Sequence, residues 1–334
     1  MAERKVRLEK SKVKQGIDEC IFELALTGKD MKDLQRQPLI NAQGHTYGSV
    51  EAYKGKATIN LNLPRFVRWN NIQPYSLTES IRVEIIRNDC ETQLKKIFGN
   101  NMNTQISKIE VNITQPVSGN ATQSDVLNLL SHATMSHEFD NVKYIGRNKQ
   151  DMDSLKEESH TVITRRPHYW IGKFYDKSEQ IIKERIEHNQ PVGDVPPDLL
   201  RVEIILVDRI LTKLFGNKKT LSDVLTTKNL LEILREYKRI FCEELVDGAI
   251  KPYLNACKSK LVDSLKMTNK PVQTIVKHRE LIPDVKVLAK ALREYMHDEE
   301  KADNSARDAK RYAEQYDLPV DCITTIRDFK RACG

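Results

Sequence analysis

The chain has 334 residues, 39% of them hydrophobic and 30% charged, with a mean hydropathy of −0.55; this allows a sizeable core, and no stretch approaches the roughly 18 to 20 apolar residues of a membrane-spanning helix. Its six cysteines, Cys20, Cys90, Cys242, Cys257, Cys322 and Cys333, show no Cys-x-x-Cys or Cys/His clustering, which argues against a disulfide framework or a structural zinc site. A formal charge of +7 suits a polyanionic partner, and the opening MAERKVRLEKSKVKQG is basic without the apolar core of a secretory signal, so a cytoplasmic protein without membrane association is expected.

After a polar arm, Ile21 to Leu26 reads as a first strand, followed by a polar loop. GSVEAYKGKATINLNLP alternates apolar and polar residues around Lys54-Gly55-Lys56, as a hairpin does, and Pro64 closes its second arm. The period then changes. Ser76-Leu77-Thr78-Glu79 fits a capping box, and Ile81, Ile85, Leu94 and Phe98 fall near helical spacing before Gly99. Ile106 to Thr114 is the clearest strand: Ile109, Val111 and Ile113 share one face, leaving Glu110, Asn112 and Thr114 on the other.

Thr122 to His137 predicts an amphipathic helix with Val126, Leu127, Leu130 and Ala133 inward, then a VKYIG strand and the DMDSLKEES linker. HTVIT and YWIGKFY form a strand pair about the basic turn Arg165-Arg166-Pro167. A charged helix from about Lys177 to His188 and a Pro/Gly loop lead to LLRVEIIL, where Arg201 and Glu203 oppose Val202 and Ile204. Arg-Val-Glu-Ile-Ile occurs at Arg82 and again at Arg201; its different settings argue against an internal repeat. From about Leu221 helical patterns take over, predicting two portions: a catalytic one over 1–220 and an all-helical one over 221–334.

Two readings compete for Tyr175, which stands among Lys173, Asp176, Lys177 and Glu179. One is a strand end with solvated charges; the other is a nucleophile beside cations and metal-binding carboxylates. Basic residues interleaved with aromatic ones in RRPHYWIGKFYDK and LPRFVRWNN fit nucleic acid, since phosphates attract cations and unpaired bases stack on rings. A phenol with a pKa near 10 needs a neighbouring cation and a metal-polarised phosphate to react at neutral pH. Lys173, Tyr175 and Lys177 share a face if the strand continues, while Glu110 and Glu203, with His160, could hold Mg²⁺ or Mn²⁺.

The order of these motifs, a strand leading to LPRF, a helix, KIEVNIT, a helix, VKYIG, a strand pair ending in KFYDKSE, then LLRVEI and Phe-Gly, resembles the gene-II replication initiators of filamentous phages from about Thr58 through Leu225. The resemblance implies an α+β fold with an antiparallel HUH-like sheet flanked by helices. It implies a metal-dependent endonuclease and strand transferase for rolling-circle replication in a bacterial host. Such an enzyme nicks the replicative-form origin, keeps the 5′ phosphate on a tyrosine, leaves a 3′ hydroxyl for the host polymerase, and later rejoins the displaced strand. Origin DNA, double- and single-stranded, and the host helicase and polymerase are its implied partners. By motif position the nucleophile falls on Tyr175, with Glu203 where the family has a glutamate and Glu110 where an aspartate is common. The chain departs from the wider group in having no His-x-His; His160 and His168 are the histidines of the strand pair. The expected site is Tyr175 and Lys177 for catalysis and Glu110, Glu203 and His160 for metal. A non-catalytic origin-binding or replication-regulating protein on the same scaffold is the alternative. Tyr169, beside Trp170, stays outside the catalytic set.

Overall fold

The fold, that of a computed structural model, is described for residues 15–26, 34–68, 74–100, 102–132, 140–146, 159–187, 189, 191–193, 195–217, 219–296, 304–316, 318, 320 and 322–333, the side chains of 34–35, 140–146 and 159–160 excepted. Strands β1 (Gly16–Ala25), β2 (Leu34–Ile40), β3 (Thr46–Tyr53), β4 (Lys56–Asn62), β5 (Thr104–Pro116), β6 (Asp140–Gly146), β7 (Ser159–Arg166), β8 (Trp170–Asp176) and β9 (Leu199–Val207) form one sheet. Their order is β2-β3-β4-β1-β5-β9-β8-β7-β6, and every neighbouring pair is antiparallel. The α+β class read from the sequence is thus the one the chain adopts.

Strand alternation gives the centre of this sheet two unlike faces. Ile109, Val111 and Ile113 of β5 are fully buried with Val202, Ile204 and Leu206 of β9 and Phe174 of β8, in one core with helical residues such as Ile233, Tyr237 and Phe241. Each such side chain contributes about 1.5–3 kcal/mol by leaving water. Glu110, Asn112 and Thr114 face the other way, paired across to Ile205, Glu203 and Arg201. The best-patterned strand therefore carries a polar row, with one carboxyl, at the middle of the sheet.

The β3–β4 hairpin forms where alternation placed it. Lys54 and Gly55 both adopt positive φ, 49° and 76°, as a two-residue hairpin turn requires. Pro64 sits in the first turn of a short helix, Leu63–Val67, capped by Asn62.

Three expectations need correction. The first strand begins at Gly16, five positions before Ile21, because β1 is paired on both sides, to β4 and β5. Leu34–Ile40, read as loop, is the edge strand β2; its polar residues and Pro38 suit an edge and hide the alternation. Ser76–Glu79 does not cap a helix. Tyr75 exchanges two backbone hydrogen bonds with Ile17, at 2.8 and 2.9 Å, and Glu79 is held by Arg68 at 2.7 Å. The clipped segment delays the helix to Val83–Phe98, whose buried stripe is Val83, Ile86, Cys90 and Leu94, while Ile85 is exposed. The helix expected from Thr122 is seen over Gln123–Ser131, with Thr122 and Asp125 forming a true capping box; Ala133 and the 151–158 linker lie outside the described residues.

Helices dominate after residue 220, as the pattern predicted. The main core nevertheless runs across that position, from Ile17 through the helix Thr227–Arg239, the π-helix Ile240–Val246 and the helix Cys322–Ala332. A second, smaller core joins Leu261, Leu265, Ile275, Leu288, Leu292 and Ala309. The last helix returns to the sheet: the Ser118 amide donates to Thr325 Oγ1 at 2.9 Å, and Gln15 Nε2 donates to the Cys333 carbonyl at 3.0 Å. Among the described residues no helix is long and apolar enough to cross a membrane.

Candidate active site

Four central strands converge on the polar face. In β8, Lys173 stands opposite Glu203 and Tyr175 opposite Arg201; in β5, Asn112 and Thr114 take the same two partners from the other side. Directly opposed side chains have Cβ atoms about 4.5–5.5 Å apart, so register alone brings these groups together. From β1 comes an acid that alternation would not single out. The β1–β5 register slips between Ile17 and Glu19, a bulge with Asp18 as the extra residue, and Asp18 and Glu19 both reach the polar side.

The contacts are specific. The Tyr175 hydroxyl donates to Glu203 Oε2 at 2.9 Å. Lys173 Nζ lies 2.7 Å from Glu203 Oε1 and 3.8 Å from Glu110 Oε2. Arg201, 1% exposed, donates through Nη1 to Asp18 Oδ2 at 2.9 Å and through Nε to Thr114 Oγ1 at 2.8 Å. Lys177 is fully buried and donates to Gln180 Oε1 at 2.9 Å. These side chains line a cleft of 380 Å³ beside the sheet, with Glu110 and Asp18 on its wall.

Burial of so many ionisable groups shifts their titration. Desolvation, reinforced by the Glu203 charge, pushes the Glu110 carboxyl up to about 9. Burial also raises Asp18 against the pull of Arg201. The Tyr175 phenol is pushed well above its ordinary value by burial, with Arg201 drawing it back down. Burial, and then the positive charge of Arg201, lower Lys177 to about 8. Lys173 goes the other way: burial acts to lower it, but Glu203 and Glu110 together hold it above its usual value.

Of the five residues expected to act, the fold brings Tyr175, Lys177, Glu110 and Glu203 to one cleft. Lys177 arrives differently from the expectation of a continuing strand: β8 ends at Asp176, and Lys177 is the first residue of the helix Lys177–Glu187. His160 belongs to β7, but its side chain lies outside the described residues. Tyr169 sits in the turn at the opposite end of β8 from Tyr175, between Arg166 and Arg209 at 4.6 and 5.4 Å from its ring. Arg201 and Asp18 were absent from the expected set. The signal for Arg201 was its inward place beside Glu203 in LLRVEIIL; nothing in the sequence marks a bulge at Asp18.

Carboxylate oxygens are the donors a hard divalent cation prefers. Glu110 and Glu203 stand together in their like-charge conflict, which a cation or a proton relieves. Among the described residues no three histidine, cysteine, aspartate or glutamate side chains are placed to hold a metal. Mg²⁺ commonly binds through one or two carboxylates and keeps its waters; Glu110 and Glu203 are two such groups, and the Lys173 ammonium stands against both of them.

No protein-family model matches the chain, and neither the curated proteins nor the solved structures compared with it give a match. What the fold and cleft define is therefore a chemical class, an α+β protein with a buried tyrosine–carboxylate–arginine cluster at the centre of an antiparallel sheet.

Proposed function

We propose that this protein is a nicking and strand-transfer enzyme of DNA that forms a covalent 5′-phosphotyrosine through Tyr175, as in rolling-circle initiation at a replicative-form origin. One observation carries the reading: the Tyr175 hydroxyl is hydrogen-bonded at 2.9 Å to Glu203 in a cleft that also presents Lys173, Lys177 and Arg201. A nucleophilic hydroxyl next to a proton acceptor, in a pocket rich in cations, is what attack on a phosphodiester needs.

In the forward step the phenolic proton passes to Glu203 Oε2, the Tyr175 Oη–P bond forms, and the P–O3′ bond breaks. The departing 3′ oxygen takes a proton from the Lys177 ammonium, whose lowered pKa of about 8 makes it a fitting donor. Rejoining reverses the roles: Lys177 accepts the proton of the incoming 3′ hydroxyl and Glu203 returns one to Tyr175. A Mg²⁺ or Mn²⁺ ion held by Glu110 and Glu203 would polarise the phosphate oxygens as a Lewis acid. The bacterial cytoplasm and a host helicase and polymerase follow from this reading as setting and partners.

The test is incubation of the chain with supercoiled DNA carrying the origin of its replicon, with Mg²⁺, followed by denaturing electrophoresis. Nicked circles and a protein–DNA adduct are expected, both lost in Tyr175→Phe. An adduct that survives in Tyr175→Phe rules out this nucleophile. Salt-sensitive origin binding without nicking would select the non-catalytic alternative.

A further inference from the structure

Three cations surround Tyr175, and they are not equivalent. Lys173 is committed to carboxylates, at 2.7 Å from Glu203 and 3.8 Å from Glu110. Lys177 points its ammonium to Gln180 at 2.9 Å and, with a pKa lowered to about 8, is partly neutral under mildly alkaline conditions. Arg201 keeps its charge at every working pH. It is also the direct cross-strand partner of Tyr175, lines the same cleft, and its charge draws the phenol's pKa down against burial.

Its aim is fixed from two directions. Nη1 is tied to Asp18 of β1 and Nε to Thr114 of β5, at 2.9 and 2.8 Å. A planar guanidinium held by two such bonds is fixed in orientation, so its placement on the strand position opposite Tyr175 is pre-set. Asp18 reaches this position through the β1 bulge, and Asp18 and Arg201 are both almost fully buried. Burying such a pair is costly and seldom favours stability over an apolar replacement. A preorganised donor at a developing negative charge, away from water, is by contrast among the strongest catalytic devices.

We propose that Arg201, clamped by Asp18 and Thr114, is the residue that stabilises the Tyr175 phenolate when Glu203 takes the proton, with Asp18 as its positioning residue. The inference rests on the reading of Tyr175 as nucleophile. It assigns the activating charge to a fixed arginine of β9, and leaves Lys177 to the leaving oxygen and any metal to the phosphate.

The experiment compares the wild-type chain, Arg201→Gln and Asp18→Asn for adduct formation on origin DNA across pH, with thermal melts as the check on folding. Arg201→Gln is expected to slow adduct formation by about 100-fold or more. Asp18→Asn, which frees one side of the clamp, is expected to lose less than Arg201→Gln, and to regain the loss when a more acidic tyrosine is placed at position 175. Placing a ring-fluorinated, more acidic tyrosine at position 175 should restore about tenfold or more in Arg201→Gln and add little to the wild type. The double variant Asp18→Asn/Arg201→Gln, which removes both charges of the buried pair, replaces Arg201→Gln if the single variant melts below the assay temperature. No adduct from the wild-type chain refutes the nucleophile reading itself. A wild-type adduct whose rate is unchanged in the Arg201 variants, or a loss that fluorination does not relieve, overturns the role of Arg201 alone.

Discussion

Replacing Glu110 by glutamine offers a test of the buried cluster that needs no DNA. Glu110 is held up to about 9 from an ordinary 4.5, first by burial and then by the neighbouring Glu203 charge. A carboxyl whose folded pKa lies above its unfolded one gives stability that is fully present below the unfolded pKa and lost as pH rises through the folded one. The window is therefore from about 4.5 to about 9. Each pKa unit corresponds to about 1.4 kcal/mol, so the whole span is worth on the order of 6 kcal/mol as an upper bound. Relaxation and water entry reduce it. Glutamine mimics the neutral, protonated acid and sets no charge against Glu203. Glu110→Gln should match the wild type near pH 5 and gain on it by up to about 1.4 kcal/mol per pH unit towards pH 9. Urea unfolding in the presence of a chelator, at several pH values across that range, measures the difference directly. Parallel stability curves for the two proteins would show that Glu110 titrates as an ordinary surface carboxyl, and the electrostatic account of the cleft would fall.

Lys177 provides the mirror case: its folded pKa of about 8 lies below its ordinary 10.5, so its charge costs stability at neutral pH and the cost fades as pH climbs between those values. Lys177→Met should stabilise the fold at pH 7 by up to about 3 kcal/mol and remove the alkaline rise in melting temperature, while slowing strand cleavage. At Gly16 a Cβ would lie 2.3 Å from the Tyr75 carbonyl oxygen; Gly16→Ala should cost about 1–3 kcal/mol and, by moving β1 and Asp18, depress adduct formation more than the loss of stability explains. Tyr237 donates to the Val202 carbonyl at 3.1 Å from the apolar side of the sheet. Tyr237→Phe should cost about 1 kcal/mol in denaturant unfolding and leave the adduct rate untouched, because the two faces are separate.

Period-two alternation carries over well from sequence to fold: β5, the β3–β4 hairpin, β8 and β9 stand where the patterns put them, since one buried face fixes register strongly. Glu110, Glu203 and Tyr175 reach one cleft because strand phase sets the face each occupies, whereas Lys177 comes there on the helix that follows β8. The limit of local sequence shows in Arg-Val-Glu-Ile-Ile. At Arg82 the five residues open a helix, with Val83 and Ile86 inward; at Arg201 the same five form the middle of β9, with Arg201 and Glu203 on the polar face. Neighbours decide. The first copy follows a segment clipped to β1 through Tyr75 and Ile17, and the second enters a slot between β5 and β8 that supplies backbone partners on both sides. Propensity is too weak a preference to override either setting. Asp18 was illegible for a related reason: a bulge is set by how two strands meet, and β1 alone contains no sign of it.

The energetic character of the cleft is the strongest argument that it is built for chemistry. Asp18, Lys177, Arg201 and Glu203 are each no more than a few per cent exposed, and they sit at the centre of a sheet whose opposite face carries the apolar residues of β5, β8 and β9. Each buried ion carries a desolvation cost of several kcal/mol that pairing only partly offsets. An apolar layer in the same place would serve stability better and would not need a bulge in β1. Sequences otherwise agree with their fold at every level, and they break the rule where a site requires it. Here the violation is concentrated around one tyrosine hydroxyl, and the cluster joins a carboxylate, a clamped arginine and a second, titratable cation around it. Those are the three groups that forming and breaking a phosphodiester bond at a phenol would use.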